Sequence, residues 1–237
     1  VKVWAISDLH LSFARPDRRE RHAARWQDHA LTMERHWQDA VGRDDLVLIP
    51  GDISMARNHR ELQPDLDWLG RLPGLKVLSP GNHDSWFGKV DSIRPMLRRS
   101  QRAVDGDAIQ EYGIVICGAR GAPVNVDPDH SEADCQATDR AIASAEAMLE
   151  AASRLREPNM PLVVLWHHPP FDQHGRPGPW VDRFEASGVT ACVYGHLHAQ
   201  LQWSLAVQGS IGGIRYHCVA ADAIGFRPLR IDGLDTH

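Results

Sequence analysis

Short, fully apolar runs alternate with amphipathic stretches along the first two thirds of this chain, and that rhythm predicts its elements. Residues 1–7 form a β-branched apolar run. Trp26, Ala30, Met33, Trp37 and Val41 then recur at helical spacing, which predicts a helix over about 21–41. Residues 46–49 read as a strand stopped by Pro50-Gly51, and residues 75–78 as another stopped by Pro80-Gly81. Leu62, Leu66, Leu69 and Leu72 mark a helix between them. A further helix is expected over 89–99, a strand over 114–117 leading into Gly118-Ala119-Arg120-Gly121, a loop over 122–132 and a long helix over 133–156. Residues 162–166 and 189–194 read as two more buried strands. Strands apolar on both faces and separated by helices imply a parallel sheet covered on both sides. After His198 the rhythm changes: residues 201–207, 214–220 and 226–231 read as short strands between glycine-containing turns, an antiparallel finish.

Composition narrows the class. The 237 residues are 43% hydrophobic and 24% charged, ordinary globular values, and no linker or repeat divides them, so one domain is expected. A net charge of -5 argues against a dedicated nonspecific nucleic-acid binder. Cys117, Cys135, Cys192 and Cys218 lack C-x-x-C spacing and read as small hydrophobes. Neither a leader-like N-terminus nor a span-length apolar run is visible, so a cytoplasmic protein with no membrane partner is expected.

The candidate chemistry sits where the apolar runs end. Asp8-Leu9-His10, Gly51-Asp52, Gly81-Asn82-His83-Asp84, His167-His168 and Gly195-His196-Leu197-His198 each follow a predicted strand. Parallel sheets gather function at the carboxyl ends of their strands, so these blocks converge along one edge. Asp-x-His and His-x-His on extended backbone point both side chains one way. Asn82 offers a neutral oxygen ligand, and His83 with Asp84 an acid beside its orienting carboxylate. Each block alone reads as a polar turn; together they suit two cations sharing a carboxylate.

The order D-x-H, G-D, G-N-H-D, H and G-H-x-H resembles the calcineurin-like metallophosphoesterase superfamily over residues 8–198. The resemblance implies a four-layer α/β/β/α sandwich of two mixed sheets. It implies one metal on Asp8, His10 and His198, the other on Asn82, His167 and His196, and Asp52 bridging both. His167 is taken over His168 because the family places its ligand histidine directly after an apolar strand. Met55 stands where purple acid phosphatases carry a tyrosine ligand, and the Gly51-Asp52 block lacks the G-D-x-x-D-R-G form of protein Ser/Thr phosphatases. The chain therefore looks like a small bacterial-type phosphohydrolase without a large cap domain.

Two transition-metal ions are the expected cofactors, Mn or Fe favoured over Zn or Co. They would activate a bridging water for in-line attack on a phosphomonoester or phosphodiester, with His83 serving the leaving oxygen. The expected partner is a small phosphorylated substrate such as a nucleotide. Nuclease action and a non-catalytic metal scaffold are the alternatives. Arg57, Arg120 and His168 are candidate substrate contacts, as is the run Arg15-Pro16-Asp17-Arg18-Arg19; Trp166, Trp180 and Trp203 read as packing.

Overall fold

Strands without a polar face must be buried on both sides, and here two sheets stack to do it. The computed structural model describes residues 1–16, 26–124 and 131–235. In the first sheet β1 (Val3–Ala5), β2 (Leu46–Pro50), β3 (Leu75–Ser79) and β4 (Gln101–Ala103) run parallel. The short β11 (Leu229–Arg230) closes that sheet, antiparallel to β1. In the second sheet β6 (Ile114–Ala119), β7 (Leu162–Trp166), β8 (Ala191–Tyr194) and β10 (Ile214–Cys218) are parallel neighbours. Its antiparallel edges are β5 (Asp107–Glu111) and β9 (Gly209–Ile211).

The strand period of two sorts the side chains into layers. Leu46, Leu48 and Val77 face Ile114, Ile116, Val163 and Val193 between the sheets. Val47 and Ile49 instead face Met33 and Trp37 of α1 (His29–Ala40) and Leu62, Leu66 and Leu69 of α2 (His59–Arg71). On the far side, Val115, Cys117 and Val164 pack under Ala141, Ala145 and Met148 of α4 (Glu132–Leu155) and Phe184 of α5 (Val181–Ala186). The result is the expected α/β/β/α order with two mixed sheets. Trp166 and Trp180 are fully buried with ring centroids 5.2 Å apart, and they pack. No helix among the described residues is long and apolar enough to cross a membrane.

Four expectations change. The first helix begins at His29, after a left-handed Asp28, and residues 21–25 of its expected span lie outside the described residues. Residues 89–99 form only α3 (Val90–Ile93) and a 3-10 turn around Pro95. Residues 201–207 are not a strand but include the helix α6 (Gln200–Ser204). Gln202 Oε1 accepts from the His198 and Ala199 N–H groups at 3.1 and 3.0 Å, capping its start. The finish is also only partly antiparallel, because β10 pairs parallel with β8 across the α6–β9 connection.

Candidate metal centre

The blocks do come together, along the carboxyl ends of β1, β2, β3, β7 and β8. Beyond the strands proper the backbones stay paired. Asp8 N–H donates to Gly51 O, His10 N–H to Asp52 O and Leu11 N–H to Ile53 O, each at 3.0 Å. Ser7 N–H donates to Val219 O at 2.9 Å and ties this edge to the second sheet. Asp8, His10 and His196 are not delivered on extended backbone as expected. They adopt positive φ of 58°, 43° and 72°, and Asp52 one of 52°. Left-handed backbone at a residue bearing a side chain is strained, and such strain clusters at functional sites. Glycine is required beside them: a Cβ on Gly81 would overlap Asp52 Oδ1, and one on Gly195 would overlap the Asp8 carboxylate.

Two sets of ligand atoms result, Asp8–His10–Asp52–His198 and Asp52–His167–His196, each set lying within 4.8 Å. Asp52 belongs to both. In the first set His198 Nε2 stands 3.3 Å from Asp8 Oδ1 and 3.3 Å from His10 Nε2. Asp52 Oδ2 lies 3.8 Å from His10 Nε2, 3.4 Å from His167 Nε2 and 4.0 Å from His83 Nε2. Asn82 Oδ1 joins the second set at 2.8 Å from His167 Nε2.

These residues fit cations. Asp52 Oδ2 is buried with no hydrogen-bond partner, although three imidazole nitrogens face it. A buried carboxylate oxygen left without a donor is costly, and a cation between those groups would satisfy it. Ligand atoms about 2.0–2.2 Å from one cation stand roughly 3.0–3.4 Å apart at octahedral or tetrahedral angles, which matches much of this spacing. The far sides of the rings are also set. His167 Nδ1 lies 2.9 Å from Pro50 O and carries a proton there, which leaves Nε2 as the nitrogen that faces the cluster and a cation. His198 Nδ1 lies 3.3 Å from Asp222 Oδ1 in the same way.

Electrostatics follow. Burial disfavours the charged His198 ring, but Asp222 and Asp8 outweigh it and hold its pKa up to about 10. Burial likewise opposes His167 protonation, and Asp52 raises that ring to about 9. His196 is pushed down to about 4 by burial and by His167. Burial also depresses His168, with His196 and His167 adding to it. Burial alone would raise Asp8 and Asp52, yet the surrounding histidines keep both below the usual carboxylate range. Without a cation, the cluster satisfies its carboxylates with protons.

The remaining candidates are placed less uniformly. The His83 ring is 43% exposed at the mouth of the cluster, 5.3 Å from the His10 ring, while the backbone N–H of His83 donates to Asp52 Oδ1 at 2.8 Å. Asp84 is fully buried. It accepts from Ile53, Ser54 and Gly81 N–H groups and from the Trp86 indole at 2.8–3.2 Å, with no hydrogen bond to the His83 ring. His168 is buried with its ring 4.3 Å from that of His196. Arg120 is exposed after β6, where its carbonyl accepts from His168 N–H at 3.1 Å. Arg57 is exposed on the turn into α2, and no hydrogen bond or ion pair joins its side chain to the cluster among the described residues. Arg15 lies 3.7 Å from Glu61, and residues 17–19 of the basic run lie outside the described residues. Ser7, which donates to Asp8 Oδ2, and Asp222 escape sequence reasoning. A larger cavity of about 1020 Å³, lined by Arg43, Arg71, Arg98 and Arg102, opens near the starts of β2 and β3, at the opposite strand ends.

Comparison with known proteins agrees with this geometry. The gene 66 proteins of Mycobacterium phages D29 and L5 are 40% and 37% identical to this chain over 82 residues, 35% of its length. The match spans 40% and 39% of those phage proteins, about two fifths of their own length. The crystal structure of phosphopantetheinyl hydrolase from Mycobacterium tuberculosis superposes with a TM-score of 0.58 at 17% identity. It covers 98% of this chain and 96% of that one, a likeness of fold. The family model of the calcineurin-like phosphoesterases matches residues 1–200, taking in all five blocks, and the chain belongs to that family.

Proposed function

We propose that this protein is a dinuclear metal-dependent phosphohydrolase that cleaves small phosphoesters. The observation that carries the reading is Asp52, whose carboxylate is common to two sets of ligand atoms at one sheet edge. Asp8, His10 and His198 would hold one cation, Asn82, His167 and His196 the other, with Asp52 between. Bound there, the cations supply Lewis acidity toward phosphoryl oxygens and an activated water. The chain's own residues do the rest. Pro50 O and Asp222 orient the rings of His167 and His198. His83, at the open mouth, gives a proton to the leaving oxygen as the phosphoryl group is displaced in line. Asp52 is the carboxylate nearest that ring, whereas Asp84 anchors the loops that carry both.

Mixed imidazole and oxygen ligation favours Mn(II) or Fe, with Zn or Co as substitutes. A small substrate is favoured over nucleic acid because the arginine-lined cavity near the starts of β2 and β3 leads away from the cluster. The free thiols of Cys117, Cys135, Cys192 and Cys218 suit a reducing cytoplasm. The test reconstitutes the protein separately with Mn, Fe, Zn and Co. Each form is then offered an aryl phosphate, a bis-aryl phosphate, a cyclic nucleotide and single-stranded DNA. Metal-dependent release of aryl alcohol is expected; failure with every metal would leave a scaffold, and cleavage of DNA alone a nuclease.

A further inference from the structure

A cleft of about 350 Å³ opens beside the second ligand set, and Asn82 and His168 form the wall that it shares with the cluster. Asp105 and Arg120 line it from the second sheet's side, and Arg140 and Ser144 from α4. Arg140 and Ser144 are four residues apart, so they share one face of that helix. The volume suits a small ligand group rather than a single ion.

The charges in the cleft are not equivalent. Burial pushes the Asp105 carboxyl up to about 6 against the opposing pull of Arg120, so these two are already electrostatic partners. The Arg140 side chain, exposed on α4, has no hydrogen bond and no carboxylate within ion-pair distance among the described residues. Neighbouring arginines do: Arg154 pairs with Glu150 on the same helix, and Arg183 of α5 with Glu146 at 2.8 Å. A second observation points the same way. His168 is only 7% exposed, and its Nδ1 is buried with no partner. An imidazole nitrogen left unsatisfied on one wall and an unpaired guanidinium on another are complementary to an oxyanion.

Resting on the hydrolase reading, we propose that this cleft holds a second phosphate of the substrate. Arg140 grips it with charge-assisted hydrogen bonds, Ser144 adds a hydroxyl, and His168 contacts it from the wall shared with the cluster. The preferred substrates are then bisphosphorylated small molecules, one phosphoester at the cluster and the other phosphate against α4.

The test compares the p-nitrophenyl ester of thymidine 5′-phosphate with the same ester carrying a 3′-phosphate. Water displaces p-nitrophenolate from phosphorus in both. The wild type should favour the 3′-phosphorylated ester by roughly tenfold or more in kcat/KM, and Arg140→Ala should bring that ratio within about twofold of unity. Arg154→Ala, which removes the same charge from the same helix, should leave the ratio as it is. Calorimetry supplies a readout without turnover: thymidine 3′,5′-bisphosphate should bind more tightly than thymidine 5′-phosphate, with the difference lost in Arg140→Ala. A wild-type ratio at or below one, or an Arg140→Ala ratio equal to wild type, overturns the proposal. If aryl esters are cleaved without preference, the cleft assignment falls and the hydrolase reading stands. If nothing is cleaved but the bisphosphate still binds through Arg140, the reverse holds.

Discussion

Asp52 shows how one residue can be legible in a sequence while its partners are not. It follows a buried strand and a glycine, a position that advertises itself once other such blocks are seen. Asp222 lies among alanines after β10 and has no motif; only the pairing of Ser7 with Ala220 across the two sheets brings it to His198. Its role is nonetheless testable. Asp222→Asn keeps the shape but removes the charge that holds the imidazole Nδ1–H, and losses of that kind weaken metal binding about 10–100-fold. Titration of the metal-free variant with Mn(II) should show the weaker step at one site of two. Equal affinity at both would mean that His198 needs no such support. His83 separates binding from turnover. His83→Ala should keep both metal equivalents, because its ring stands at the mouth of the cluster. It should lose roughly 10²–10⁴-fold in kcat on substrates with poor leaving groups. The loss should shrink for nitrophenolate, which leaves without a proton; an equal loss on both would argue against proton donation.

At the scale of elements, sequence reveals the strands buried on both faces, β2, β3, β6, β7 and β8, and also β1 and β10, whose apolar runs are mostly buried. The edge strands β4 and β5 were not legible, because Gln101-Arg102-Ala103 and Asp107–Glu111 are short and partly polar, as edges tend to be. The α6 segment misleads for the opposite reason. Leu201, Trp203 and Leu205 alternate like a strand, yet Leu201 is 73% and Leu205 48% exposed, so the alternation marks no buried face. Left-handed backbone at Asp8, His10, Asp52 and His196 was equally hidden, since Asp and His adopt it only in a minority of their positions. What joins the elements at the site is Asp84. Its carboxylate accepts from backbone N–H groups after β2 and after β3, so it fixes the spacing between the Asp52 and Asn82 loops. Asp84→Ala would strand three N–H groups, at about 1–3 kcal/mol each where water cannot reach them. A loss of about 3 kcal/mol or more predicts a melting temperature lower by roughly 6–12 °C. Asp84→Asn keeps one acceptor oxygen and should lose less. If both variants melt like the wild type but lose turnover, Asp84 acts on catalysis directly and not through the loops.

The whole molecule couples metal, protons and folding in one place, because the cluster is where the two sheets meet. In the metal-free protein His167 and His198 are held protonated up to about 9 and 10, well above the 6.5 of an unfolded chain. A raised histidine pKa stabilises the fold fully below about 6.5, and that contribution is lost as pH rises through the folded values. Between those limits the native state binds more protons than the unfolded one, so each ring lowers stability by up to about 1.4 kcal/mol per pH unit. Cations reverse the sign locally, since they bind the neutral rings and displace those protons. The gap in melting temperature between Mn(II)-loaded and chelator-treated protein should therefore widen steadily from pH 7 to pH 9. Taking the difference cancels groups remote from the cluster, such as buried Lys76, whose pKa is lowered to about 8 by desolvation. Calorimetric titrations at pH 7 in buffers of different ionisation enthalpy should show proton release on metal binding. A gap that stays flat across this range, with no protons released, would mean that neither ring gives up a proton to the metal. The stability of the two-sheet edge would then have to come from its backbone ladder alone.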